Sequence, residues 1–166
     1  MLRRSTLPFL FVLTGLTVAQ TAAPLVLRLE QALVETVQTG DKVTERRQPA
    51  PVTVQPGNVL EQTVTATNTT RRTLRGVAVN LPVPAGTTFT GDAVLGSARW
   101  TATFSADGGR TYARAPLTER LTVTENGRAM TKDVVIPPTR YTNARWTITT
   151  MNPDETLKFS LRVKVK

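Results

Sequence analysis

The clearest pattern in the chain is the alternation of apolar and polar residues at its C-terminal end. In LKFSLRVKVK, residues 157–166, leucine, phenylalanine or valine occupies every odd position, and a basic residue or serine occupies every even one. Successive side chains of a β-strand point to opposite faces of a sheet, so this pattern predicts a strand with one buried face and one face in water.

The same period of two recurs along most of the chain. Four further runs predict strands, and they are VLEQTVTATN (59–68), TLRGVAVNLPVP (73–84), ARWTATFS (98–105) and RYTNARWTITT (140–150). LTVT and MTKDVVI flank Asn126-Gly127 and predict a hairpin of two edge strands. Glycine, proline or asparagine interrupts these runs about every eight to twelve residues, a spacing typical of an all-β sandwich or barrel. We therefore expect an all-β fold of seven to nine strands.

The segment before residue 52 is less regular. LVLRLEQALVETVQ, Leu25 to Gln38, fits neither the helical period nor strict alternation, and we interpret it as a strand that bends near Ala32. Gly40-Asp41 predicts a turn. Arg46 to Pro51 is expected to be an extended connection, because residues at or before proline resist helix.

The N-terminus has the features of an export signal. Arg3 and Arg4 precede an apolar run from Leu7 to Ala19, which ends in small residues suited to cleavage. At roughly 13 residues the run is shorter than the roughly 20 that a transmembrane helix needs, which disfavours a membrane anchor. We divide the chain into a signal peptide (1–19), an N-terminal strand and connection (20–51) and a main domain (52–166), and expect a secreted, periplasmic or envelope location with no transmembrane span in the mature chain.

Composition removes several kinds of chemistry. The chain has no cysteine and no histidine, which excludes disulfides, the usual zinc sites and nucleophiles paired with histidine. The formal charge is +9, so outside the cytoplasm anionic polymers or lipid head groups are natural neighbours. Export argues against nucleic acid as a partner, and the charge can also serve solubility alone.

One stretch, FSADGGRTYA, concentrates chemically active residue types. Its Ser-x-Asp-x-Gly-x-Thr-aromatic pattern resembles the Asp-box of sialidase-like propellers, where the motif is a hairpin turn remote from the active site. We predict a structural turn that joins the strand before it to a strand beginning near Arg110, with Asp107 accepting backbone hydrogen bonds of its own loop. A calcium site and a ligand-contact loop are the alternatives. The residues assigned to the turn are Ser105, Asp107, Gly108, Gly109 and Thr111.

The acidic residues give little support to catalysis. They are scattered, and the only adjacent pair, Asp154-Glu155, reads as a turn. A glycosidase needs two carboxylates that converge on a cleft, so an enzyme would require Asp107, Glu119, Asp133 and Asp154 to come together. We assign no catalytic, cofactor-binding or metal-binding residue, expect no cofactor, and predict that the protein is not an enzyme.

The polar face of the last strand is basic. Lys158, Arg162, Lys164 and Lys166 share that face, and we expect Arg145 on a neighbouring strand. One interpretation is a contact surface for a polyanion or another partner. The other is that lysines along an exposed strand discourage edge-to-edge pairing.

The aromatic residues divide into two groups. Trp100, Phe104, Trp146 and Phe159 fall on the apolar phase of their strands and are predicted to be core. Tyr112 and Tyr141 are the better candidates for exposed contacts.

The order of turns and strands resembles a known family. The residues that carry the resemblance are Pro56, Gly57, Asn68, Pro82, Pro84, Gly86, Thr87 and Phe89, followed by FSADGGRTY and RWTITTMNPDETLKFSLRVKV. They are similar to the conserved-repeat domains of bacterial surface proteins, known as domain of unknown function eleven, over about Val52 to Val165.

The resemblance implies an immunoglobulin-like sandwich, a domain usually found in tandem on large envelope proteins. This chain has one copy, which favours a free-standing protein. We therefore expect an exported, non-enzymatic structural or interaction module of the cell envelope, or alternatively a protein whose basic face binds anionic envelope polymers. Its partner would be an envelope protein or such a polymer, and its oligomeric state stays open.

Overall fold

A computed structural model of the chain describes residues 23–125 and 128–166. The predicted signal peptide and the Asn126-Gly127 turn lie outside them. The described part is built of β-strands with one 3-10 turn at Pro138–Arg140, which confirms the all-β prediction. The strands are β1 Leu25–Thr39, β2 Lys42–Pro49, β3 Val59–Asn68, β4 Leu74–Pro82, β5 Thr87–Ala93, β6 Trp100–Ser105, β7 Thr118–Glu125, β8 Arg128–Val135, β9 Asn143–Met151 and β10 Thr156–Val165.

The strands form three antiparallel sheets. The largest has the order β2-β1-β3-β10-β5, the second has the order β4-β9-β6, and β7 and β8 pair with each other. The hairpin prediction is therefore confirmed for its strands, although they form a sheet of their own rather than edges of a larger one. Leu117 and Ile136 are buried at its base, where the Ile136 amide donates to the Leu117 carbonyl.

The five-stranded and three-stranded sheets share one core. Trp146 of β9 stacks on Phe159 of β10 with 5.3 Å between ring centroids, and Trp100 of β6 meets the same phenylalanine edge-on. Phe89 of β5 stacks on Phe104 of β6. The prediction that the tryptophans and phenylalanines belong to the core is thus confirmed, with Trp100 only half-buried. Removing this apolar surface from water is the main source of stability.

Gly76 allows β4 to keep its apolar residues on the core. Leu74 and Val77 both pack against the core, although residues three apart in a regular strand lie on opposite faces. Gly76, between them, has φ +62°, a conformation that glycine adopts without steric cost. Opposite it on β9, Ile148 and Met151 are likewise three apart and both buried.

β1 connects two ladders. It pairs with β3 from Leu25 to Val34 and with β2 from Ala32 to Thr39. The predicted strand and the Gly40-Asp41 turn are confirmed. The connection predicted at residues 46–51 is wrong over its first four residues, because residues 46–49 belong to β2 and pair with β1.

β5 also differs from expectation. No strand is predicted between residues 84 and 98, whereas Thr87–Ala93 forms a strand that pairs with β10 through an irregular register. Among the described residues, no helix is long and apolar enough to cross a membrane.

Candidate interaction surface

The Asp107 loop is held together by its own side chains. Asp107 Oδ1 accepts from the amides of Arg110 and Thr111, each at 3.0 Å, and from the Ser105 hydroxyl at 2.7 Å. Its Oδ2 accepts from the Thr111 hydroxyl at 2.6 Å. The Ser105 hydroxyl oxygen in turn accepts from the Gly109 amide at 2.9 Å. The predicted role of Asp107 as an acceptor for its own loop is confirmed.

These bonds favour the charged carboxylate. The hydroxyls of Ser105 and Thr111, followed by backbone amides, hold the pKa of Asp107 well below its ordinary value. Both carboxylate oxygens are already engaged, and the described residues contain no group of three acidic side chains that could hold a metal ion. This geometry suits a structural turn rather than a calcium site.

The loop does not lead into the strand predicted near Arg110. It is closed instead by a single bridge, in which the amides of Phe104 and Ala113 each donate to the other's carbonyl. Gly108 and Gly109 have φ of +75° and +85°, which explains why glycine occupies both positions. The next strand along the chain is β7.

Arg145 fastens this loop to the sheet below it. Its guanidinium lies 3.6 Å from the centroid of the Tyr112 ring, a cation–π contact, and its Nε donates to Asn80 Oδ1 at 2.7 Å. Arg145 is on β9, in the three-stranded sheet, whereas the neighbours of β10 are β3 and β5. The expectation that Arg145 lies beside the last strand is therefore wrong.

Tyr141 is not an exposed contact residue. Its side chain is buried against Phe89 and Phe104, and its hydroxyl oxygen accepts from the Leu117 amide at 2.9 Å. Tyr112 is half-buried beneath Arg145. Both tyrosines therefore hold loops in place.

The outer face of β10 is less uniformly basic than the sequence indicated. Lys158, Lys164 and Lys166 are exposed, and none of them forms an ion pair with another described residue. Arg162, in the middle of the face, is different. Its side chain is only 22% exposed and is held by two carboxylates. The free basic positions therefore lie at the two ends of the strand.

The carboxylates that hold Arg162 belong to a network across the sheet. Arg162 donates to both oxygens of Glu45 on β2, at 2.8 and 2.7 Å, and its Nε donates to Glu61 on β3 at 3.3 Å. Arg47 also donates to Glu61, at 2.8 Å. Hydrogen bonds from Arg162 lower the pKa of Glu45, and hydrogen bonds from Arg47, then Arg162, lower that of Glu61. These arginines stabilise the sheet instead of presenting free charge.

The acidic residues considered for catalysis are engaged or isolated. Asp107 and Glu119 both line an open depression of about 540 Å³. However, Glu119 is paired with Arg140, and Asp107 is committed to its loop. Asp133 pairs with Arg120 on the outer hairpin, and Asp154 lies in the turn before β10. The structure provides no free pair of carboxylates among these four.

Asn68 ends β3 as a buried clamp. Its side-chain amide donates to the carbonyls of Arg72, Met151 and Asn152 at 2.8 to 3.1 Å, and its oxygen accepts from Thr70. The side chain is fully buried. It therefore joins the end of β3 to the loop that leads to β4 and to the end of β9.

Sequence reasoning missed one surface, formed by the first half of β1. Leu27 and Leu29 are 49% and 61% exposed, although their strand phase matches that of the core residues Ala66 and Val64 opposite them. Leu25, Leu27 and Leu29 alternate with polar or smaller residues in the sequence, but this spacing does not show that Leu27 and Leu29 remain uncovered.

Comparison of the chain with protein-family models, with curated proteins and with solved structures found no match.

Proposed function

We propose that the protein is an exported, non-enzymatic module of the cell envelope that binds or scaffolds another envelope component. The proposal includes an immunoglobulin-like sandwich for the two sheets that share the core. It also includes membership of the conserved-repeat family of bacterial surface domains.

The observation that carries the proposal is the exposure of apolar side chains on strands. Exposed apolar residues occur on β1 and β2 and on the β7–β8 hairpin, and they include Leu29 (61%), Val43 (66%), Met130 (44%) and Val135 (58%). Exposed apolar side chains that share one strand face, as Leu27 and Leu29 do on β1, are typical of interaction sites. The carboxylates, by contrast, are mostly taken up by arginines or by their own loops, which leaves little for acid–base chemistry.

The local structure of the resemblance residues supports the family assignment. Gly57 and Gly86 occupy turns with φ of +91° and +78°. Thr87 donates through its amide and its hydroxyl to the Pro84 carbonyl, which fixes the turn before β5. Asn68 closes β3. Gly57, Gly86, Thr87 and Asn68 of the pattern thus each have a physical role at their positions.

Fractionation and site-specific crosslinking in the native cell test this function. Fractionation should recover the protein outside the cytoplasm. A photoreactive side chain at Val43 or Met130 should crosslink to a defined envelope component, whereas one at the exposed Thr147, on the outer face of β9, should not. Recovery of the protein in the cytoplasm, or the same crosslinking pattern at all three positions, would contradict the proposal.

The basic face supports a second candidate, which is binding of an anionic envelope polymer. Lys158, Lys164 and Lys166 are exposed, and the chain carries a net +9 charge. Binding to lipopolysaccharide or to anionic wall polymer should weaken as salt rises. Replacing the three lysines by glutamine should reduce retention more than the same change at Lys42, Arg114 and Arg128. Equal losses of retention in the two triple variants would show that binding depends only on the overall charge, which would contradict this candidate.

A further inference from the structure

The first half of β1 has a neighbouring strand on one side only. β3 pairs along it from Leu25, whereas β2 begins to pair at Ala32. On the side away from β3, the Gln31 carbonyl accepts from the Ala50 amide at 2.9 Å, which marks where that side becomes occupied. We call residues 25–30 the free edge.

The peptide groups of the free edge have a defined direction. Pro24 points its carbonyl to the β3 side, where it accepts from the Thr69 amide, and Gln31 points its carbonyl to the opposite side. Peptide groups alternate between the two sides of an antiparallel strand. Leu25, Leu27 and Leu29 therefore present their N–H and C=O groups to the open side, where no described residue bonds them.

The same three residues carry the uncovered apolar side chains. Leu27 and Leu29 are about half or more exposed, and Leu25 is half-buried. A segment that binds here must satisfy backbone groups at every second residue and cover leucines at the same positions. Only an extended chain does both, so the free edge fits addition of a β-strand. An edge of this kind rarely stays unpaired in a soluble protein.

We propose that the added strand is β1 of a second copy, paired antiparallel and centred on Leu27. In this register Leu27 faces Leu27 of the second copy, and Leu25 faces Leu29. The open N–H and C=O groups of each leucine then form hydrogen bonds with those of the leucine opposite it in the other chain. The six leucines lie together on one face, and the two five-stranded sheets become one continuous sheet across a two-fold axis.

Charge and space select this register over its neighbours. It places Arg28 opposite Val26 and Glu30 opposite Pro24, so no like charges meet. Moving the centre of the pairing from Leu27 to Arg28 would set Arg28 opposite Arg28 of the second copy, and like charges directly opposite each other are destabilising. Moving the centre further along β1 would bring the second copy into the space that β2 already occupies, because Pro49 of β2 pairs with Ala32. A shift the other way would place Leu29 beside Ala23 and lose leucine contacts.

Sedimentation velocity over a range of protein concentrations tests the pairing, with the full chain purified after export from a bacterial host. We expect a monomer–dimer equilibrium that strengthens with salt, because two strongly basic chains repel each other. This salt response is opposite to that of polymer binding, so the two proposals can fail separately. Leu27→Lys should give monomers at every concentration, with the melting temperature that the wild type has when dilute enough to be monomeric. Val43→Lys, at an exposed apolar position on β2, should dimerise like the wild type.

Cysteine crosslinking tests the register, since the chain has no cysteine of its own. Residues of a hydrogen-bonded antiparallel pair lie about 5.5 Å apart at Cα, within the range of roughly 4.4–6.8 Å for disulfides. Leu27→Cys should therefore oxidise to a covalent dimer faster than Arg28→Cys, and Leu25→Cys should crosslink to Leu29→Cys when the two are mixed. A wild-type protein that stays monomeric at its highest soluble concentration, or Leu27→Cys oxidising no faster than Val43→Cys, would overturn the proposal.

Discussion

Arg162 on β10 donates two hydrogen bonds to Glu45 on β2, although β1 and β3 lie between these strands. The contact ties the β1–β2 hairpin to the last strand of the chain. Glu61 and Arg47 complete the network. The pairing of Arg162 therefore makes it a structural residue, in contrast to the lysines on the same strand.

Replacing Arg162 by glutamine should lower the free energy of unfolding by roughly 1 kcal/mol, the upper range for a partly exposed ion pair. Urea unfolding at neutral pH measures the loss. Lys164→Gln, which removes an exposed charge from the same face, should change stability by less than about 0.5 kcal/mol. Equal effects of the two substitutions would show that the network contributes nothing specific.

The same network gives stability a dependence on pH. The folded-state pKa values of Glu45 and Glu61 are lowered from 4.5, so their contribution is fully present above pH 4.5 and is lost as pH falls through the lower folded values. The difference in unfolding free energy between wild type and Arg162→Gln should therefore narrow below pH 4.5. A constant difference across the acid range would contradict this assignment.

Asp107→Asn should lower the melting temperature at neutral pH, because an amide cannot accept on both of its atoms from the donors of the turn. The ordinary pKa of Asp107 is 3.8 and its folded value is lower. Its stabilisation is therefore complete above pH 3.8 and is lost as pH falls further. Scanning calorimetry should show the two proteins converging in acid. Asp92→Asn is the control, since among the described residues Asp92 accepts a side-chain bond only from Thr90, and it should have a smaller effect at neutral pH.

Gly109→Ala should destabilise the protein more than Gly108→Ala. Both glycines have positive φ, so either substitution costs about 1–2 kcal/mol of backbone strain. At Gly109 the added methyl would also lie 3.0 Å from the Tyr112 hydroxyl, whereas at Gly108 no atom lies within 4 Å. Chemical denaturation of the two variants measures the difference. An equal loss of unfolding free energy in the two variants would mean that the Tyr112 side chain moves away from the added methyl group without destabilising the protein.

Asn68→Ala should lower the free energy of unfolding by about 3 kcal/mol, since it leaves buried carbonyls without a donor. Asn152→Ala is the matched control, because the Asn152 side chain is exposed and makes no hydrogen bond within the described residues. That control should cost less than about 0.5 kcal/mol. Chemical denaturation measures the unfolding free energy of both variants. Similar losses in the two would contradict the role of Asn68 as a buried clamp.

Much of the fold was predictable because it depends on local spacing. In β10 the period of two identified the buried face, and the apolar phase of β9 placed Trp146 correctly in the core. The Asp107 turn could also be predicted from the sequence. The groups that bond its carboxylate lie within four residues of it in the chain, so their positions follow from the sequence of the loop.

What the sequence could not determine depends on which strands become neighbours. Arg162 and Glu45 are 117 residues apart, Tyr141 reaches the amide of Leu117 across a loop, and Arg145 lies in a different sheet from β10. A period of two states which side of a strand is apolar, but not how far the opposing sheet extends. The sequence alone therefore determined the strands and their faces, whereas the tertiary structure decided that Leu27 and Leu29 of β1 stay exposed while Leu33 of the same strand is buried, because their cover depends on contacts between distant segments.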